Sequence, residues 1–479
     1  MRPRGTTYLY GYDSLGRMIS GERLDNGTSI LRTRQAYDEV NRPVYQAWQV
    51  GGTLYEEGFT YNSEEDGSLN THTTATGQTL TMQYDGLRRL SGITGGIYGK
   101  TYTYRDISTT QTTTQVASVV YDLPTDQSYG YTYDNMGNIA TYTDANGTVT
   151  YTYDAQGQLL SATNGTTSYS YTYDTVGNIL TANGHTYTYG NADWKDLLTA
   201  YDGETITYDA IGNPLSYYNG TRWAFTWEDG RQLGTATDGT TNVSYTYDSD
   251  GIRTSKTVNG VTHTYVYASG KLLRETYGDT TLDFFYSNSG QPYALKHNGT
   301  VYYYITNLQG DVMSIVDGTG AVVVSYEYDP YGNILSTTGT LADTLGEINP
   351  LRYRGYVYDQ ECNLYYLQSR YYDPSTGRFL NADAFASTGQ GVLGNNMFVY
   401  CLNNPVCRYD CTGNRAVMVS MDGGSETTPE PICNQNKEPY GSMKFGDSTI
   451  GDSGCAAVAT YNAMVLLGRS DASLNEIVS

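Results

Sequence analysis

The sequence predicts an all-β protein: a Tyr-rich antiparallel sheet long enough to coil on itself, followed by a short, truncated α-helical C-terminal segment. Three observations predict it. A unit Tyr-x-Tyr-Asp-x-x-Gly-x-apolar recurs along the chain, Asn-Gly pairs alternate with it, and 51 Tyr and 54 Gly stand against 8 Phe and 10 Met. The apolar material is therefore amphipathic and aromatic, suited to sheets whose faces tolerate water.

The unit reads YTYDNMGNI from 131, YTYDAQGQL from 151 and YTYDTVGNI from 171, at steps of 20, with looser copies from 10, 82, 206, 245 and 326. Self-similarity at a fixed period marks a repeat architecture. Tyr-x-Tyr alternates with period two, which puts both rings on one face of a strand. Asp followed three residues later by Gly matches a type I turn, the carboxylate accepting backbone N–H groups. Asn-Gly at 146–147, 164–165, 183–184, 219–220, 259–260 and 298–299 predicts type I′ hairpin turns, which need positive φ at both residues. Two turn types alternating along one chain give an almost uninterrupted meander from Met1 to about Ile348. A sheet of that many strands must curl. Trp223 and Trp227 in TRWAFTWEDG depart from the period; they read as core packing, with a plug or a glycan contact as the alternative.

A net charge of −22 argues against nucleic acid and against an anionic bilayer, because both need clustered Lys and Arg. The acid is spread through turns in Tyr-Asp pairs, which is turn chemistry and solubility. No run reaches the roughly 18 apolar residues of a transmembrane helix. The N-terminus MRPRGTTYLYGYD has no apolar core of a signal peptide and enters the repeat within ten residues, so the chain is expected to be a piece of a larger protein. Six Cys, at 362, 401, 407, 411, 433 and 455, form no CxxC pair; no metal or cofactor is implied.

The repeat, with LRYRGYVYDQECNLYYLQSRYYDPSTGRFLNAD and NNMFVYCLNNPVCRYDCTGN after it, resembles the RHS/YD-repeat family over residues 1 to about 413, most specifically at 351–413, the RHS repeat-associated core. The resemblance implies strands spiralled into a hollow shell enclosing a variable C-terminal segment, often a toxin, that self-cleaving members cut after the last core motif. It places an aspartyl-protease-like site on Arg370, Asp383 and Asp410, with the scissile bond between Gly413 and Asn414. Two carboxyls held close do not both ionise easily, so one can donate a proton while the other activates water. Asp383 and Asp410 are 27 residues apart, and only the fold can join them. Two prolines of the family pattern are absent, since the motifs read Asn381-Ala382-Asp383-Ala384 and Asp410-Cys411-Thr412-Gly413-Asn414. The alternative is a structural closure in which Arg370 pairs with an acid and both Asp cap turns.

The resulting organisation is a shell over 1–350, the core over 351–413, a linker over 414–440 and a truncated cargo or toxin segment over 441–479. In the last, 456–467 reads as a helix ended by Gly468, and Ser473 with Glu476 as a capping box. Cys455 stands where a helix N-terminus lowers a thiol pKa, and this short stretch resembles the nucleophile helix of papain-like cysteine peptidases. All four His (72, 185, 263, 297) precede it, so Cys455 is expected to be an inactive remnant nucleophile. The expected role is a secreted or cell-envelope shell that encloses its own C-terminal toxin and releases it by self-cleavage, with an immunity protein and export machinery as partners. The rival is a cell-surface adhesion or carbohydrate-binding scaffold without catalysis.

Overall fold

The computed structural model describes residues 5–62, 67–108, 111–165, 167–384 and 387–419, and the backbone of 444–445 and 448–449. The expected C-terminal helices and Cys455 lie outside the described residues.

Each repeat folds as its residues dictate. In the unit from 131, Asp134 Oδ1 accepts the N–H groups of Met136 and Asn138, both at 2.8 Å, and the Asn138 side chain donates to Asp134 Oδ2 at 3.0 Å. Gly137 takes φ +86° to close the turn. In the unit from 82 the corresponding residue is Arg88, which accepts φ +65° itself. The pairing register slips by one residue at the second Tyr, as at Thr132/Tyr133, Thr152/Tyr153 and Thr172/Tyr173. That bulge carries the ring past the end of the preceding strand. The phenols of Tyr133, Tyr153 and Tyr173 donate to the carbonyls of Val116, Ile139 and Leu159 at 2.6–2.7 Å. The second Tyr of the unit is therefore a staple between consecutive strands, and its buried hydroxyl is satisfied.

The Asn-Gly turns divide. Asn183-Gly184, Asn259-Gly260 and Asn298-Gly299 have positive φ at both residues, as type I′ requires. At 146–147, 164–165 and 219–220 only the Gly does. Pairing of Asp144 with Gly147 and of Asn164 with Thr167 shifts those turns by one residue, so neighbouring-strand register, rather than the dipeptide, decides the turn type there.

Strands from Thr6 to Thr205 form one 19-stranded antiparallel sheet in sequence order, and strands from Thr207 to Thr338 form a second of 14. The single meander expected to run to 348 is thus interrupted once, at Ile206. Its side chain is buried and its N–H turns back to the carbonyl of Thr199. Tyrosine hydroxyls tie the sheets together. Tyr55 donates to Asp283, Tyr98 and Tyr121 to the carbonyls of Tyr304 and Thr306, and Tyr131 to Gln309, while Tyr173 pairs with Tyr331. The sequence separation across these bonds falls in order from 228 through 206, 185 and 178 to 158. The wall over 55–173 therefore lies against the wall over 283–331, with fewer residues between the partners at each later contact.

Trp223 and Trp227 belong to this wall. Trp223 is buried and stacks on Phe225, and Trp227 is half-buried with Nε1 donating to the Pro214 carbonyl at 2.7 Å.

The segment from Leu351 closes the structure. It carries a four-stranded sheet (Val357–Asp359, Leu364–Tyr366, Tyr371–Asp373, Arg378–Phe379) and shares one apolar core with both large sheets. Charged and amide groups lock it in place. Arg253, fully buried, donates to Asp359, which also accepts from Lys256 at 3.0 Å. Asn404 donates to Asn138 and to the Gly157 carbonyl, Asn403 to Gln158 and to the Gly177 carbonyl, and Asn396 to Asn178. The amide after the turn Gly in consecutive repeats thus forms a ladder on which the closing segment docks. Cys401, Leu402 and Asn403 all take positive φ to present it.

Candidate functional site

The closing segment ends in Tyr409-Asp410-Cys411-Thr412-Gly413-Asn414, which repeats the Tyr-Asp-x-x-Gly unit of the wall, amide included. The turn is rebuilt. In the wall the Asp N–H bonds the carbonyl four residues on, as Asp134 does with Asn138. Here the Asp410 N–H donates to the Tyr356 hydroxyl at 2.7 Å. Its Oδ1 accepts from Thr412 at 3.3 Å and Asn414 at 3.1 Å, as the wall Asp does two and four residues on, and takes the Gly413 amide at 2.8 Å in addition. The strands resume with Tyr409 opposite Val417 and Arg408 opposite Met418, so part of the stretch expected as linker is the return strand of a hairpin. Matching this last unit to the repeats would have found the loop from sequence; its diversion by Tyr356 would not have been found.

Arg370 stands on the neighbouring strand edge and fixes the loop. Its Nε donates to the Gly413 carbonyl, Nη1 to the Met397 carbonyl at 2.9 Å, and the guanidinium lies 3.5 Å from the centre of the Phe379 ring. Nη2 is 2.7 Å from Asp383 Oδ2 and 4.0 Å from Asp410 Oδ2. One cation therefore joins the two carboxyls that sequence spacing could not connect. All three side chains are buried. Burial pushes Asp410 up to about 6 against the pull of Arg370 and the amides of its loop. Burial also lowers Arg370, against the pull of Asp383 and Asp410.

Gly413 is held by its surroundings. Its φ is +78°, and a Cβ there would meet Ser369 Oγ at 2.7 Å, the Leu367 carbonyl at 3.1 Å and the Arg370 nitrogen at 3.2 Å. Ser369 Oγ donates to the Thr412 carbonyl at 2.6 Å, clamping the preceding peptide. The loop that lacks the family's prolines is held otherwise, with Arg231 donating to the Ala382 carbonyl at 2.7 Å and the Asp383 N–H to Met397 at 2.9 Å. Arg370, Asp383, Asp410, Gly413 and Asn414 thus come together. The arrangement can polarise one carbonyl, accept from the amide beyond it, and hold two carboxyls beside one cation. Cys407 bonds at the wall, accepting from the Ile139 N–H at 3.2 Å, and no cluster of three metal-ligating side chains exists among the described residues. No helix among them is long and apolar enough to cross a membrane.

The teneurin YD-shell family model matches residues 138–406. The tRNA3(Ser)-specific nuclease WapA of Bacillus spizizenii is 36% identical over 233 residues, 47% of this chain and 10% of that protein. The toxin subunit YenC1 of Yersinia entomophaga is 36% identical over 126 residues, 26% of this chain and 12% of that protein. Among solved structures, TcdB2-TccC3-Cdc42 superposes with a TM-score of 0.58 at 19% identity, covering 85% of this chain and 26% of that chain. The Photorhabdus luminescens Tc holotoxin pore gives 0.55 at 18% identity, covering 88% and 26%. The chain spans about a tenth of these curated relatives and about a quarter of the solved chains. The coiled all-β wall is the fold these structures share with it, and with the family model covering more than half of its residues, the chain belongs to the RHS/YD-repeat proteins of the YD-shell family.

Proposed function

We propose that this chain is the closing end of a shell that encloses and presents a C-terminal toxin or effector segment, and that the closing segment severs this cargo from the shell by hydrolysis after Gly413. In this reading 1–350 is wall, 351–413 is closure and protease, and the cargo follows a linker from 414. The toxins and nucleases named among the relatives support a cargo of that class. Secretion or display at the cell envelope, an immunity protein and export machinery belong to the same proposal.

The observation that carries it is the disposition of Arg370 and Asp410 about one peptide bond: Arg370 Nε donates to the Gly413 carbonyl while Asp410 Oδ1 accepts the Asn414 N–H. Asp383, paired with the Arg370 cation, takes a proton from water as the water oxygen bonds to the Gly413 carbonyl carbon. Arg370 stabilises the oxyanion that forms. Asp410, protonated in part because burial raises it to about 6, gives its proton to the Asn414 nitrogen as the C–N bond breaks. The products are the Gly413 carboxylate and the Asn414 amine.

Intact mass under denaturing conditions tests it. The parent chain should yield two masses, one of them residues 414–479, and Asp383→Asn and Asp410→Asn should each yield one full-length mass. A single full-length mass from the parent, held at neutral pH until cutting would be complete, would refute the proposal and leave the loop as structural closure.

A further inference from the structure

We infer that the strand beyond the cut, residues 414–419, is a built-in clasp that holds the severed cargo to the shell. This rests on the cleavage reading above. The bond lies in the turn of a hairpin, so breaking it leaves both strands paired. Tyr409 faces Val417 and Arg408 faces Met418, and the Val419 N–H donates to the Cys407 carbonyl at 2.8 Å. Ala416 is buried against Leu393 and Leu402, and the Gln390 side chain donates to its carbonyl at 2.7 Å. Each of these contacts joins a residue before the Gly413–Asn414 bond to one after it, and none uses the atoms of that bond.

Both new ends also form beside an opposite charge. Hydrolysis turns the Gly413 carbonyl, already against Arg370, into a carboxylate, and the Asn414 N–H, already on Asp410, into an ammonium. Each bond then joins a charged side chain to a chain end of opposite charge instead of to a neutral peptide group, which strengthens it. Cutting therefore exchanges a covalent tether for a non-covalent one that can be opened, and the cargo is primed rather than released. The partner of the clasp is this chain's own strand, read through one small buried side chain and main-chain pairing.

The test uses the full-length chain after self-cleavage, passed over a size-exclusion column without denaturant, beside Ala416→Glu and Gln390→Ala. Glu at 416 puts a charge into an apolar site and should lower the co-eluting cargo at least about tenfold, while Gln390→Ala, which removes one bond, should lower it less. Hydrogen exchange of the 414–419 peptide is followed in all three. The expected result is a cut chain whose two parts co-elute, slow exchange at 414–419, and loss of both in Ala416→Glu with the wall's exchange unchanged. Parent cargo that elutes apart from the shell, or Ala416→Glu cargo retained as in the parent, would overturn the clasp. If no cut occurs the cleavage reading fails by itself, and exchange then decides the clasp: fast exchange at 414–419 rejects it, and slow exchange sustains it.

Discussion

Asp359→Asn should loosen the closing segment while leaving the wall folded. Asp359 is fully buried and accepts from Arg253, itself fully buried, and from Lys256 at 3.0 Å. Lys256 keeps Glu361 as a second partner at 2.9 Å, whereas Arg253 has no other carboxylate in contact among the described residues. Its guanidinium lies 4.4 Å from the Tyr366 ring centre and 4.7 Å from that of Tyr265, contacts that leave the charge uncompensated once Asp359 is neutral. Breaking one side of a buried pair costs about 3–5 kcal/mol. An unfolding entropy of about 2.1 cal/mol/K per residue makes this roughly 3–5 °C in a chain of this length. Burial pushes Asp359 up, but the Arg253 and Lys256 charges outweigh it and hold it below its ordinary range. The contribution is therefore complete above the ordinary carboxylate pKa of about 4 and lost only in stronger acid. Hydrogen exchange of the 357–366 peptide at pH 7 reads the effect locally, beside the melting temperature. Replacing both partners, Arg253→Met with Asp359→Leu, removes the uncompensated charge and should restore most of the loss. A single variant within about 1 kcal/mol of the parent, or a double variant as weak as the single, would refute the argument.

Tyr153→Phe removes the staple to the Ile139 carbonyl and leaves that buried oxygen short of a partner, at a cost of about 1–3 kcal/mol in denaturant unfolding. Gly413→Ala adds strain of about 1–2 kcal/mol at φ +78° and meets Ser369 Oγ; displacing the carbonyl from Arg370 should slow self-cleavage by about 100-fold in an intact-mass time course. Burial raises Asp329, Asp373 and Asp410 to about 6 each, so the folded chain holds more protons than the unfolded one between about pH 4 and 6. Their stabilisation is complete below pH about 4 and is lost as pH rises through 6, so denaturant midpoints should be higher at pH 5 than at pH 7.5. Within the cleavage reading, the initial rate should rise from pH 8 toward 6 as Asp410 gains its proton; a flat profile would exclude it as the acid.

The sequence by itself determined the local structure of this protein. Tyr-x-Tyr-Asp-x-x-Gly specifies strand and turn within seven residues, because period-two alternation and an Asp that bonds the next amides are short-range effects. That is why the units from 131, 151 and 171 were legible, as was the resemblance that pointed to Arg370, Asp383 and Asp410. The register of a turn was not legible, since at 146–147 and 164–165 pairing with the neighbouring strand moved the turn off the Asn-Gly pair. Nor was the destination of each side chain. Tyr131 and Tyr133 are two residues apart, yet one phenol reaches Gln309 in the next coil and the other the Val116 carbonyl of the adjoining strand. Only the tertiary structure decided that the last Tyr-Asp turn would differ from the others. Tyr356 takes the Asp410 amide and Arg370 takes the Gly413 carbonyl, both from more than 40 residues away. A turn motif carries the information for its own hydrogen bonds. What becomes of them when a buried phenol and a guanidinium compete for the same atoms depends on the coil that delivers those groups.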